Sequence, residues 1–465
     1  MITKSQVGAR IDRLPTSKWH LETFLLVGLG LQINGFLNSS GGPIIAELVE
    51  NGWSTNYLNA TFSSAMMIGF FIGSLFGGTL GDKVGRKKSY QISIAIFGVM
   101  SIVAAFSPNM YILILCRALM GVGMGSGIVI GYASFIEFMP GKTRGTWSSR
   151  LSLIGNLSPL IATLASYLII PTLGWHAMFL IGGVASLIQL GFITKYLMES
   201  PRWCIENGKV EEAEILLTNI EKRIEKEKNI VLPIVESEVV HEEIIEKKSK
   251  ESIGSFFKGD LGKRTLIATT VLVAMNVSLY TITTWIPTIF VNNGIDITKS
   301  LFMTTLIMIG APLGVYTSTL IIDLFPRKWL GVVLLLIISV LGYIYSIQTK
   351  EINIVVLGVT LTFFLYIYNS FASAVYAPEI WPTHIRLRGS GISNSIGRIV
   401  AIITPYVIAW LLTEFNVTVV FVVLGIVLGS CALILAIFGI ETRNKSLEEI
   451  ANTQNSDVTK IQQGV

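Results

Sequence analysis

Charge is what this sequence is short of. Only 14% of its 465 residues are Asp, Glu, Lys or Arg, against roughly 25% in an ordinary soluble domain, while 51% are hydrophobic and the mean hydropathy is +0.64. That balance excludes a soluble globular protein and predicts a polytopic membrane protein. Histidine is scarce too: the four residues are His20, His176, His241 and His384, with His176 read in an outer loop and His384 in a cytoplasmic one. With no Cys/His metal spacing and no nucleophile elbow, no catalytic residue, metal or cofactor is expected, and the chain does not read as an enzyme. Of three cysteines, Cys116 and Cys431 fall inside apolar runs and Cys204 on the cytoplasmic side, which excludes a disulfide framework. The polar start before Leu21 lacks the short apolar core and small-residue cleavage site of a signal peptide, so none is expected.

What is present is a series of apolar runs. Twelve of them are long enough to span, at about 18 to 25 residues each, starting near Leu21, Leu58, Tyr90, Tyr111, Ser148, Ala177, Leu266, Leu301, Trp329, Ile352, Gly389 and Val417. The formal net charge of +5 does not point to nucleic acid, because the basic residues crowd alternate loops. Lys83, Arg86, Lys87 and Lys88 follow the second run, Lys142, Arg144 and Arg150 the fourth, Arg327 and Lys328 the eighth, and Arg386 and Arg388 the tenth. The opposite loops carry little beyond Lys299 and Lys350. The positive-inside rule then places both termini in the cytoplasm.

Six runs precede a polar segment rich in Glu and Lys, and six follow it. Its stretch KVEEAEILLTNIEKRIEKEKN has helical periodicity and reads as a cytoplasmic amphipathic helix. The expected organisation is an all-α membrane protein with an N-terminal six-helix bundle over 1–198, cytoplasmic helices and a linker over 199–264, a C-terminal bundle over 265–440, and a cytoplasmic tail over 441–465. The halves repeat each other. LGDKVGRKK after the second run matches IIDLFPRKW after the eighth, pairing Asp82 with Asp323 and Arg86 with Arg327 at an offset of 241. EFMPGKTRG after the fourth matches EIWPTHIRLRG after the tenth, pairing Glu137 with Glu379 and Arg144 with Arg386 at an offset of 242. Two independent signatures agreeing within one residue indicate a duplicated six-helix unit, as in transporters whose site lies between parallel repeats.

These motifs, together with CRALMGVGMGSG in the fourth run and ESPRWCIENGKVEEA after the sixth, resemble the major facilitator superfamily. The resemblance covers nearly the whole chain and is similar to the branch of sugar porters, organic-ion transporters and bacterial niacin-type and aromatic-acid transporters. It implies a monomeric, alternating-access secondary transporter of the plasma (bacterial inner) membrane. It also implies a cytoplasmic gate in which Asp82, Arg86, Glu137, Arg144, Asp323, Arg327, Glu379 and Arg386 form a charge network between the halves.

Arg398 is the residue that speaks to cargo. It stands in SNSIGRIVAIITPY, about 15 Å beyond Arg388 at 1.5 Å per residue, near the middle of a roughly 30 Å hydrocarbon core. A charge there must face a cavity or a partner. The repeat offset of 242 sets it opposite Asn156. A guanidinium offers a planar fork matched to a carboxylate, so the expected substrate is a small organic anion, an aromatic monocarboxylate, and the resemblance to niacin-type transporters implies one such as nicotinate. Asn34, Asn38, Asn156, Asn276, Tyr280, Trp285, Phe364, Tyr368 and Asn369 are the other expected substrate-binding residues. A sugar is the alternative, weakened because span seven reads AMNVSLYTITTW without the paired glutamines of the sugar-porter pattern. Proton coupling stays open: span one has Asn34 and Asn38 where related proton symporters have an aspartate, while Arg117 is retained, so Arg117 and Glu47 are the coupling candidates.

Overall fold

A computed structural model describes residues 4–233, 253–381 and 385–442. Pro382, His241, His384 and the expected tail beyond 442 lie outside the described residues, as does the side chain of Arg386. Among the described residues there is no strand.

The first part of the chain forms α1 (Lys4–Asp12), α2 (Lys18–Ser39), α3 (Gly41–Glu50), α4 (Asn56–Val84), α5 (Arg86–Ala105), α6 (Met110–Phe138), α7 (Gly141–Tyr196), α8 (Pro201–Glu206) and α9 (Val210–Lys228). After a 3-10 turn at Ile253–Phe257 come α10 (Gly259–Asn292), α11 (Ile297–Met308), α12 (Gly310–Ile321), α13 (Arg327–Ser346), α14 (Glu351–Ser370), a π-helical segment at Phe371–Tyr376, α15 (Ala377–Glu379), α16 (Arg386–Glu414) and α17 (Val417–Phe438). Polar caps start several of them: Asn109 accepts from Ile112 N at 3.0 Å and Asn416 from Val419 N at 3.1 Å.

Ten helical stretches among the described residues are long and apolar enough to cross a membrane. The α7 helix is 56 residues long, about 84 Å at 1.5 Å per residue and enough for two crossings. It breaks at Gly174, whose φ of 72° is open to glycine at no steric cost. The expected outer loop carrying His176 is therefore a single reversal, and His176 stacks on Trp175 at 3.7 Å just inside the next span. The twelfth span is α2, whose apolar character is diluted by Lys18, Glu22, Gln32, Asn34 and Asn38. Span eight is divided into α11 and α12 because Pro312 has no N–H to give to the Met308 carbonyl one turn back.

The chain divides into two compact units, one drawn from Met1–Ile44 with Ala65–Glu246 and the other from Ile45–Ser64 with Lys247–Val465. In the first, α5 packs against α6 and α7, and α2 lies along α7. In the second, α13 packs on α17, α10 on α16 and α12 on α14. The duplication is visible in the packing itself. A Cβ at Gly69 or Gly73 of α4 would strike the carbonyls of Ala118 and Val122 of α6. A Cβ at Gly310 or Gly314 of α12 would strike those of Val359 and Phe363 of α14, each partner again 241 residues on. Small residues let these helices approach backbone to backbone, the main source of association where lipid removes the hydrophobic drive.

The helical reading of the polar segment holds for α9. Glu211 and Glu212 sit in its first turn, Lys226 and Lys228 in its last, and Asn229 closes it in the left-handed region at φ 53°. Val7 and Ile11 of α1 bury against Leu217 of α9. Around that apolar contact Arg10 and Arg13 both bond Glu221 at 2.6 Å, Arg10 reaches Glu214 at 2.7 Å, and Arg223 pairs with Glu22 of α2 at 2.6 Å. Burial opposes the Glu221 charge, and the two guanidinium groups outweigh it and hold its pKa below the ordinary 4.5.

Candidate substrate site and cytoplasmic charge clusters

The acidic and basic residues of the repeated loops assemble into two matching clusters, one in each unit. In the first, Arg86 bonds Asp82 at 2.6 Å and Glu137 at 3.0 Å. In the second, Arg327 bonds Asp323 at 2.6 Å and Glu379 at 3.4 Å. Glu137 and Glu379 each bond an arginine of their own unit, and Glu379 also accepts from the Thr442 hydroxyl at 2.7 Å. Arg144 donates to the Met139 carbonyl at 3.2 Å and lies 3.8 Å from Asp12. Asp12 in turn accepts from Gly141 N at 2.8 Å, capping α7.

Two acids that the motif reading passed over complete these clusters. The carboxylate of Glu199 accepts from the backbone N–H groups of Arg86 and Lys87 at 2.7 and 3.1 Å. That of Glu441 accepts from those of Arg327 and Lys328 at 2.8 and 3.1 Å. The caps of these helices are Gly85 and Pro326, which have no side-chain acceptor, so a carboxylate from the end of the sixth or twelfth span satisfies the orphan donors and meets the positive end of the helix dipole. Glu199 and Glu441 are 242 residues apart, the offset already known from Glu137 and Glu379, and that arithmetic was the signal that could have found them.

Inside the first unit, Asn34 is buried and donates to the Met124 carbonyl at 2.9 Å, tying α2 to α6. Arg117, 3% exposed, donates to the carbonyls of Leu37 and Asn38 at 2.8 and 3.2 Å, a cation at the C-terminal end of α2 where unpaired carbonyls gather. Its guanidinium also stands 5.9 Å over the Phe179 ring. Asn38 thus meets Arg117 through its backbone. Asn156 is half-buried in α7 and donates to the Ser152 carbonyl at 2.9 Å. Tyr132 of α6, absent from the expected set, lies beside Ser152. Glu47 is buried in α3 of the other unit, 8% exposed.

In that second unit α10 and α16 come close where a glycine allows it. A Cβ on Gly397 would stand 3.1 Å from Asn276 Nδ2 and 3.3 Å from Leu272 Cβ. Asn276 is buried and donates to the Leu272 carbonyl at 2.8 Å, one turn below Tyr280. Arg398 and Tyr280 are half-buried and face each other closely enough to interact electrostatically, and Tyr280 does the same with Tyr366 of α14. The structure so brings Asn276, Tyr280 and Arg398 together. Trp285 and Tyr368 are fully buried in the apolar core, and the Tyr368 hydroxyl donates to the Val271 carbonyl at 3.1 Å, pinning α14 to α10. Phe364 and Asn369 are half-buried on α14, Phe364 edge-on to Phe363 at 5.2 Å.

Comparison with known proteins gives the lineage. Residues 29–453 match the family described as sugar (and other) transporter. The chain belongs to that family of the major facilitator superfamily. It is 53% identical over 446 residues to the inner membrane metabolite transport protein YdjE of Escherichia coli (strain K12), covering 96% of this chain and 98% of that one. It is 30% identical to the niacin transporter NiaP of Acinetobacter baylyi, covering 95% and 99%. A solved structure of the xylose transporter XylE from E. coli in a partially occluded inward open conformation superposes with a TM-score of 0.71 at 18% identity, covering 92% of this chain and 100% of that one, a likeness of fold. The transporter is thus a multi-pass inner-membrane protein with the twelve-helix facilitator fold, a secondary transporter of metabolites.

Proposed function

We propose that this transporter carries a small organic anion, an aromatic monocarboxylate of the nicotinate type, with the Arg398 guanidinium on its carboxylate. The observation that carries the reading is a permanent charge 12 residues into α16, about 18 Å from its start at 1.5 Å per residue. Ion insertion to that depth costs at least about 3 kcal/mol, a cost met when the charge faces a cavity or a counter-charge. Tyr280 beside it adds a phenol that can donate to the same carboxylate, and Asn276 below supplies an amide. The 30% identity with a niacin transporter supports the class of cargo. Asp82, Arg86, Glu137, Arg144, Asp323, Arg327, Glu379 and Arg386 are proposed as gate elements, and Glu47 with Arg117 as coupling elements.

Binding of nicotinate, benzoate, xylose and an organic cation to purified protein tests the reading directly. Nicotinate or benzoate should shift the melting temperature of the wild type, and Arg398→Ala should remove that shift while leaving a folded protein. Arg398→Lys should weaken binding through loss of the two-pronged contact. The sugar reading, favoured by the fold likeness and the family's breadth, wins if xylose alone binds. Should an imposed pH gradient drive uptake, Glu47→Gln is expected to abolish the pH-driven component while counterflow exchange persists.

A further inference from the structure

We propose that the first unit carries an uncharged subsite for a hydroxyl group, built where Gln32 and Gly35 of α2 meet Gly155 and Ser158 of α7. Gln32 is 14 residues into α2 and Gly155 is 14 into α7, each about 21 Å from the helix start, so both lie at bilayer depth. The Ser158 hydroxyl donates to Gln32 Oε1 at 3.1 Å and fixes the amide. The other end of that amide, Nε2, is buried with no hydrogen-bond partner among the described residues. A buried donor left in this state calls for a ligand or water to complete it.

An acceptor lies in the same place. Pro159 has no N–H, so the Gly155 carbonyl one turn back loses its regular helical donor. That carbonyl is 3.4 Å from the position a Cβ would take on Gly35, and a Cβ there would strike the Ser158 hydroxyl, so glycine at 35 holds α2 against this spot. On Gly155 itself an added Cβ meets nothing within 4 Å, which marks open space beside the carbonyl. An orphan donor and a freed acceptor within one small locus match a hydroxyl, which accepts and donates at once. A carboxylate offers no donor to the Gly155 carbonyl and an aliphatic group offers nothing to either. None of these features uses Arg398 or the charge clusters.

This subsite rests on the anion reading only for the choice of probes, 4-hydroxybenzoate against benzoate, measured by isothermal binding to the full chain in detergent. The wild type should prefer the hydroxylated acid by about 3- to 10-fold, the worth of one net hydrogen bond. Gln32→Leu should bring that ratio to near one with benzoate affinity unchanged. Gly155→Ala, which the open space accommodates, should also lower the ratio and serves if the first variant fails to fold. Arg398→Ala should weaken both acids equally. If the ratio still moves with Gln32 while Arg398→Ala leaves both affinities intact, the subsite stands and the anion reading falls. A ratio unchanged in both first-unit variants, or no binding of the hydroxylated acid by the wild type, overturns the proposal.

Discussion

The two units are most alike at their cytoplasmic helix ends and least alike at mid-span. Arg86 and Arg327 each hold an i−4 aspartate and a distal glutamate, and Glu199 and Glu441 each cap the helix that those arginines begin. At mid-span the same repeat arithmetic sets Asn38 against Tyr280 and Asn156 against Arg398. In the first unit the Asn34 and Asn156 amides are taken up by the Met124 and Ser152 carbonyls. The second places a guanidinium, a phenol and an amide together. Helix ends pose one electrostatic problem in both halves and receive one solution, whereas the mid-span positions are free to diverge because packing there needs only small or apolar neighbours.

The comparison can be broken most severely at the shared packing. Gly73→Val and Gly314→Val should each abolish recovery of monodisperse protein in size-exclusion chromatography, because in both units the new side chain meets a backbone carbonyl that cannot yield. Next comes the mid-span asymmetry. Arg398→Ala should cost carboxylate binding about 10- to 100-fold, as for a charged hydrogen bond worth about 1.5 to 3 kcal/mol, while Asn156→Ala should cost less than about 3-fold. Equal losses would make the two positions equivalent and remove the case for a charged site confined to the second unit. The caps come third: Glu199→Gln and Glu441→Gln should each lower stability by about 0.5 to 2 kcal/mol, read as similar falls in melting temperature. A large effect from only one of them would show that the symmetry of geometry is not one of energy.

The smallest effect is expected where the described residues of the second unit show no counterpart, at the clamp of α1 on α9. The pKa of Glu221 is lowered by Arg10 and Arg13, so the contribution of the clamp is fully present above the ordinary value of 4.5 and is lost as pH falls through the lower folded value. The hydrogen-exchange protection factors of α9, corrected for the intrinsic pH dependence of amide exchange, should therefore be flat between about pH 6 and 8 and should fall only below about pH 4.5. Lower protection already at neutral pH in Glu221→Gln, with no further loss on acidification, would confirm which carboxylate is responsible.

Much of this is legible in the sequence alone. Spans and topology follow from composition and from alternate basic loops, and the duplication follows from Asp82, Glu137 and their partners. Glu199 is not legible as a cap in the sequence because its role depends on which helix start lies beside it, 113 residues earlier in the chain. Trp285 and Tyr280 were indistinguishable in sequence because both sit in a helix that is apolar on nearly every face, so periodicity does not say which side is open. Tyr132 and Gln32 gave no motif, only a polar group in an apolar run.

What the sequence determined by itself is the solvent, the number of crossings, their sense and the repeat, since each depends on local hydropathy or on fixed spacing along the chain. Only the tertiary structure decided that Tyr368 is a pin and Tyr280 a neighbour of Arg398, that Arg117 closes the end of α2, and that one end of the Gln32 amide is left without a partner among the described residues. Those outcomes depend on which helix faces meet. In a membrane the meeting is set by close fit between small residues and backbone, a property of pairs of distant segments rather than of any one of them.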